Sequence, residues 1–112
     1  MKLALVTAVA VAAILASSAA ARPTTVPYQV DVTITDTSCT LDHTSTPQLL
    51  VLFHIISQGK YSHQFKIWGV SSGIIKTGQD GIFKVKFRSR ATYGYTCYNS
   101  HAVLKRGTLH VR

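Results

Sequence analysis

"TYGYTCYNSHAVLKRGTLHV", Thr92 to Val111, is the stretch on which the rest of the chain depends. "ATYGYTC" (residues 91–97) reads as one strand and "GTLHVR" (107–112) as another, with a polar loop between them. The first strand ends in Cys97, four residues ahead of His101. Cys97 is either a metal ligand or half of a disulfide with Cys39, since the chain has two cysteines. The two uses exclude each other, because a disulfide sulfur has lost the thiolate that binds metal.

The compartment bears on that choice. "MKLALVTAVAVAAILASSAAAR" opens with a single charge, Lys2, and continues with an apolar run from Leu3 to about Leu15. Ala19-Ala20-Ala21 then offers the small-x-small pattern of a secretory cleavage site. Residues 1–21 are therefore expected to be a signal peptide and 22–27 a short leader, with one domain over 28–112. The apolar run is short for a membrane span, so no span is expected after cleavage. The expected location is extracellular, periplasmic or in the cell envelope. Two cysteines in such a chain make one disulfide the default. Closing the loop from Cys39 to Cys97 is worth about 4 kcal/mol on the chain-entropy model.

Charge is lopsided. The chain carries 12 Lys and Arg against 4 acidic residues, net +8, and all four acids are Asp. Removing Lys2 leaves the balance strongly positive. Such a surface favours acidic partners or anionic polymers and says nothing about fold. No carboxylate dyad and no convincing Ser-His-Asp order can be picked out, so no enzyme is expected. An aromatic-basic groove pattern for nucleic acid is also missing.

Working outward, strand patterning recurs from end to end. Tyr28, Val30, Val32 and Ile34 alternate with Gln29, Asp31, Thr33 and Thr35, the period of a half-buried strand. "QLLVLFHIIS" (48–57) puts Val51, Phe53 and Ile55 on one face and Leu50, Leu52, His54 and Ile56 on the other. "YSHQFKIWGV" follows the turn "QGK", and "IFKVKFRSR" (82–90) follows the turn "KTGQDG". In that strand Lys84, Lys86, Arg88 and Arg90 share one face, a basic ladder opposite Phe83, Val85 and Phe87. No window holds a helical period. Six or more short strands between turn signals predict an all-β sandwich or barrel.

Three segments carry a resemblance to a family. "GKYSHQFKIWG" (59–69), "IIKTGQDGIFKVKF" (74–87) and "TYGYTCYNSHAVLKRGTLHV" resemble successive parts of the cupredoxins, the plastocyanin- and azurin-like blue copper proteins. The resemblance covers nearly all of the expected mature chain. It implies a Greek-key β-sandwich with a type 1 copper site at one end, and Tyr93 as a corner tyrosine. Residue by residue, it implies His63, Cys97 and His101 as equatorial copper ligands in a protein of electron transfer or copper handling, and the basic ladder would then dock an acidic redox partner. A trigonal plane of one thiolate and two imidazoles suits both copper redox states.

The chain departs from that pattern in three places. Lys105 stands where the axial methionine is expected, the loop from Cys97 to His101 is one residue short and lacks its proline, and Cys39 falls where the family fold would bring it near Cys97. The alternative is then a copper-free cupredoxin-fold module, locked by a Cys39–Cys97 disulfide, that docks an acidic partner or anionic surface polymer through the basic ladder. Of the remaining histidines, His54 and His110 are expected to be ordinary surface or satisfied residues, and His43 falls in a turn with no partner to name.

Overall fold

The structure, a computed structural model, describes residues 26–112. The expected signal peptide and most of the leader lie outside the described residues. Among the described residues no helix is long and apolar enough to cross a membrane.

Nine strands form among these residues: β1 (Tyr28–Ile34), β2 (Cys39–Leu41), β3 (Ser45–Thr46), β4 (Leu50–Ser57), β5 (His63–Ile67), β6 (Val70–Ser71), β7 (Asp80–Lys86), β8 (Thr92–Asn99) and β9 (Val103–Val111). They make two sheets, β2-β1-β4-β7 and β3-β9-β8-β5-β6. The pairs β1–β4 and β3–β9 are parallel and the others antiparallel. This is the all-β Greek-key sandwich expected from the sequence.

Period-two alternation fixes which side chains meet between the sheets. Val30, Val32 and Ile34 of β1 and Val51, Phe53 and Ile55 of β4 are fully buried. They face Phe65 and Ile67 of β5, Tyr95 and Cys97 of β8, and Leu109 and Val111 of β9. Phe53 reaches across to Phe65, ring centroids 5.3 Å apart, and Phe65 packs on Tyr95 at 5.5 Å. Each large apolar side chain buried in this way contributes roughly 1.5–3 kcal/mol. Tyr93 closes the corner: its hydroxyl donates to the Ser89 carbonyl at 2.6 Å, four residues upstream, as the resemblance implied.

Several boundaries differ from the sequence reading: "YSHQFKIWGV" breaks into β5 and β6 at Trp68–Gly69, and β9 starts at Val103, inside the expected polar loop. β7 begins at Asp80, inside the expected turn, because Gly78 at φ +77° and the bond from Gln79 N–H to Lys76 C=O complete the reversal early. It ends at Lys86, since the Phe87 N–H turns to the Leu49 carbonyl at 2.9 Å. The basic ladder is therefore shorter than expected. Lys84 and Lys86 stand exposed on the strand, while Arg88 and Arg90 lie in the bend beyond it. One of those bend arginines, Arg90, donates from Nη1 to the Pro47 carbonyl at 3.1 Å.

Candidate functional site

The expected ligands gather at one end of the sandwich. His63 opens β5 directly opposite Asn99, and Phe65 pairs with Cys97, so His63 and Cys97 lie two positions apart on neighbouring strands. His101 follows two residues after Asn99, in the turn to β9.

Their chemistry there is not that of a copper plane. Cys97, fully buried, is bonded to Cys39. The bridge joins β2 of one sheet to β8 of the other, with Cα atoms 6.4 Å apart, inside the range a disulfide spans without backbone movement. No free cysteine remains. His101 is exposed, its ring edge-on to Tyr61 at 4.5 Å. Its backbone N–H and that of Ala102 donate to Asn99 Oδ1 at 2.7 and 2.8 Å.

His63 is held through one ring nitrogen and faces a carboxylate with the other. Nδ1 lies 2.8 Å from Ser57 Oγ, and the Ser57 hydroxyl is also 3.3 Å from the Ile75 carbonyl. Nε2 faces Asp36 Oδ1 at 3.5 Å, long for a hydrogen bond, and has no closer partner. Backbone bonds in both directions between His63 and Ile75, 2.9 and 2.8 Å, pin the strand start. A Ser57–His63–Asp36 row thus forms, an order the sequence did not reveal. Ser57 is 1% exposed, so no substrate reaches its hydroxyl and the row is structural.

Asp36 is the residue that sequence reasoning missed. Its carboxylate accepts the backbone N–H groups of Lys60 at 2.7 Å and Tyr61 at 3.0 Å. Its carbonyl accepts from Asn99 Nδ2 at 3.3 Å. One residue in the β1–β2 turn therefore ties together the β4–β5 loop, the start of β5 and the end of β8. The Lys60 and Tyr61 N–H groups hold its carboxyl below the usual range. Gly59, at φ +96°, has to be glycine here, since a Cβ would stand 2.6 Å from the Asp36 carboxylate. The signal in the sequence was an Asp in a turn and a "QGK" loop, but nothing local joins them.

Lys105, expected at the axial place, lies opposite Cys97 in the β8–β9 register. Its ammonium donates to the Cys39 carbonyl at 3.3 Å, beside the disulfide. Among the described residues no group of three or more His, Cys, Asp or Glu side chains could hold a metal ion. The donor set required for type 1 copper lacks its thiolate, which the Cys39–Cys97 bridge takes up. The residues as they stand do not fit the ion.

No family model matches this chain, and no curated protein does. Solved structures do. Auracyanin B superposes with a TM-score of 0.63 at 14% identity, over 80% of this chain and 93% of that one. A chain of a heme-copper terminal oxidase dimer superposes with a TM-score of 0.53 at 15% identity, over 76% of this chain and 65% of that one. At these identities the shared property is the fold, which is cupredoxin-like.

Proposed function

We propose that this chain is an exported, copper-free cupredoxin-fold binding module that docks an acidic partner through the β7 basic face. The observation that carries the reading is the Cys39–Cys97 bridge, which takes up the one sulfur a type 1 site needs. Copper binding or electron transfer by His63, Cys97 and His101 would first require that bridge to be reduced.

The charge arrangement supports the docking half. Every ion pair of an Asp among the described residues is to a histidine. Lys84 and Lys86 therefore stand uncompensated on an exposed strand face at the edge of the four-stranded sheet. Unpaired cations of this kind steer an oppositely charged partner and set its orientation.

Binding of poly-L-aspartate measured against salt tests the reading. Between ~0.01 and ~0.15 M ionic strength the screening length falls from ~30 to ~8 Å, and affinity is expected to drop about tenfold or more. Lys84→Gln with Lys86→Gln should weaken low-salt binding and flatten the slope. A salt-independent affinity, or one indifferent to both lysines, removes the docking claim.

A further inference from the structure

The outer side of the five-stranded sheet carries a groove unconnected with the disulfide end or the β7 face. It runs along β5 and β8, has a volume of about 180 Å³, and is lined by Lys66, Trp68, Gly94, Thr96 and Tyr98 among others. Three of its features go beyond what packing of the sandwich requires.

Trp68 is the first. It occupies the first position of the two-residue turn joining β5 to β6, at φ +51°, followed by Gly69 at +73°. Two positive φ values suit a hairpin turn, but the residues that adopt them without strain are Asn, Asp and Gly. A bulky aromatic there is an outlier, and such outliers cluster at binding sites. Its ring is braced by Phe87 at 5.7 Å and Tyr93 at 5.6 Å, yet 43% of the residue stays exposed.

Gly94 is the second. Glycine in mid-strand weakens a sheet and usually marks a close approach. At Gly107 the approach is real, because a Cβ would run into the Tyr95 ring, and at Gly81 it would strike Ile75. At Gly94 a Cβ would meet only the Gly107 carbonyl oxygen at 3.9 Å, an ordinary contact. Packing does not demand glycine here. What the missing side chain provides is the floor of the groove.

Charge is the third. Lys66, Thr96 and Arg106 form a row across β5, β8 and β9, which sets the backbones of the two cationic residues about 9.5 Å apart at two strand spacings. The Lys66 ammonium stands 5.8 Å from the centre of the Tyr98 ring, within cation–π range. None of the four Asp belongs to this sheet: Asp31 and Asp80 lie in the other sheet, and Asp36 and Asp42 in connections of β2.

From these features we infer that the groove binds one residue of an acidic glycan chain, laying a sugar ring over Gly94 between the Trp68 turn and Tyr98 and pairing its carboxylate with Lys66. The groove is shallow and open, so the polymer continues past it in both directions. An acidic peptide fits less well. β5 and β8 are interior strands whose backbone groups are already paired, which leaves an extended peptide no edge to join. What the face offers is ring surface, a hydroxyl and cations, the complement of a carboxylated pyranose. This site is independent of the docking proposed for β7.

Affinity electrophoresis and calorimetry with polygalacturonate test it, with fully methyl-esterified polygalacturonate as the neutral arm and poly-L-aspartate as the peptide arm. Trp68→Ala and Gly94→Val should each weaken polygalacturonate binding about tenfold or more, as loss of a central contact does, and Lys66→Gln several-fold. Esterification should weaken it about tenfold or more, and poly-L-aspartate should be indifferent to Gly94→Val. Melting curves check folding, and Gly94→Val is expected to melt no lower than the parent. Unchanged polygalacturonate binding by a folded Gly94→Val protein overturns the site. Equal binding of poly-L-aspartate with the same sensitivity to Gly94→Val overturns the glycan assignment in favour of an acidic peptide.

Discussion

His54 shows how much a single position gains from its neighbours in space. It points outward from β4, where the alternation places it, between Asp31 of β1 and Asp80 of β7. Its Nε2 lies 2.9 Å from Asp80 and its Nδ1 3.3 Å from Asp31. The hydrogen bond to Asp80, with the one to Asp31, raises its pKa. A raised folded pKa keeps the ring charged where the unfolded chain's ring is neutral. The stabilisation is therefore complete below about pH 6.5 and disappears as pH rises through the folded value. For a partly exposed cluster it amounts to about 0.5–1 kcal/mol. Urea unfolding at pH 5.5 and 8.5 (~3 units spanning the histidine range) should show the parent more stable on the acid side by that amount, and His54→Gln should remove the difference. Asp36 acts in the opposite sense. Its depressed pKa contributes stability above the ordinary carboxylate range, lost as pH falls through the folded value. The sequence placed His54 on an outward face but not in this bracket, because Asp80 is 26 residues away and only the β4–β7 register brings it across.

At the scale of elements, long strands were legible and short ones were not. β1 declares itself by alternation over seven residues and β4 as an apolar run within its eight, both long enough to recognise. β2, β3 and β6 have three, two and two residues and hold no period at all. They exist because neighbours supply partners: β2 through a tight turn in which Thr35 Oγ1 accepts the Ser38 N–H at 3.0 Å, β3 through its parallel pairing with β9. β2 nonetheless matters, since it presents Cys39 to β8. With three residue pairs against β1, it depends on the bridge for its attachment to the opposite sheet. Replacing both cysteines (Cys39→Ala with Cys97→Ala) should cost about 2–5 kcal/mol, read as a lower urea midpoint with an unchanged fold by circular dichroism. A cost near zero would mean that the core alone fixes β2.

Over the whole molecule, one end is closed by a disulfide and one broad face is free of carboxylates. The candidate site was legible as a choice rather than an answer. Cys97, His63 and His101 lie at the same end of the sandwich, and Cys39 arrives there too. Sequence spacing could not decide which partner the sulfur takes, because that depends on which strand of the facing sheet lies over β8. The hairpin carrying Cys39 was itself too short to see. The groove at Trp68 was hidden for a related reason: an exposed tryptophan and an unneeded glycine become neighbours only when β5 and β8 pair. The state of the Cys97 sulfur tests the account most directly. Protein recovered from the export compartment should be unfolded without reductant, treated with a thiol-alkylating reagent and weighed by mass spectrometry. The account predicts no added alkyl group, and a shift of two groups after reduction. Two alkylated cysteines in the unreduced sample, with an intense thiolate-to-copper absorption on adding Cu(II) to the folded protein, would contradict it.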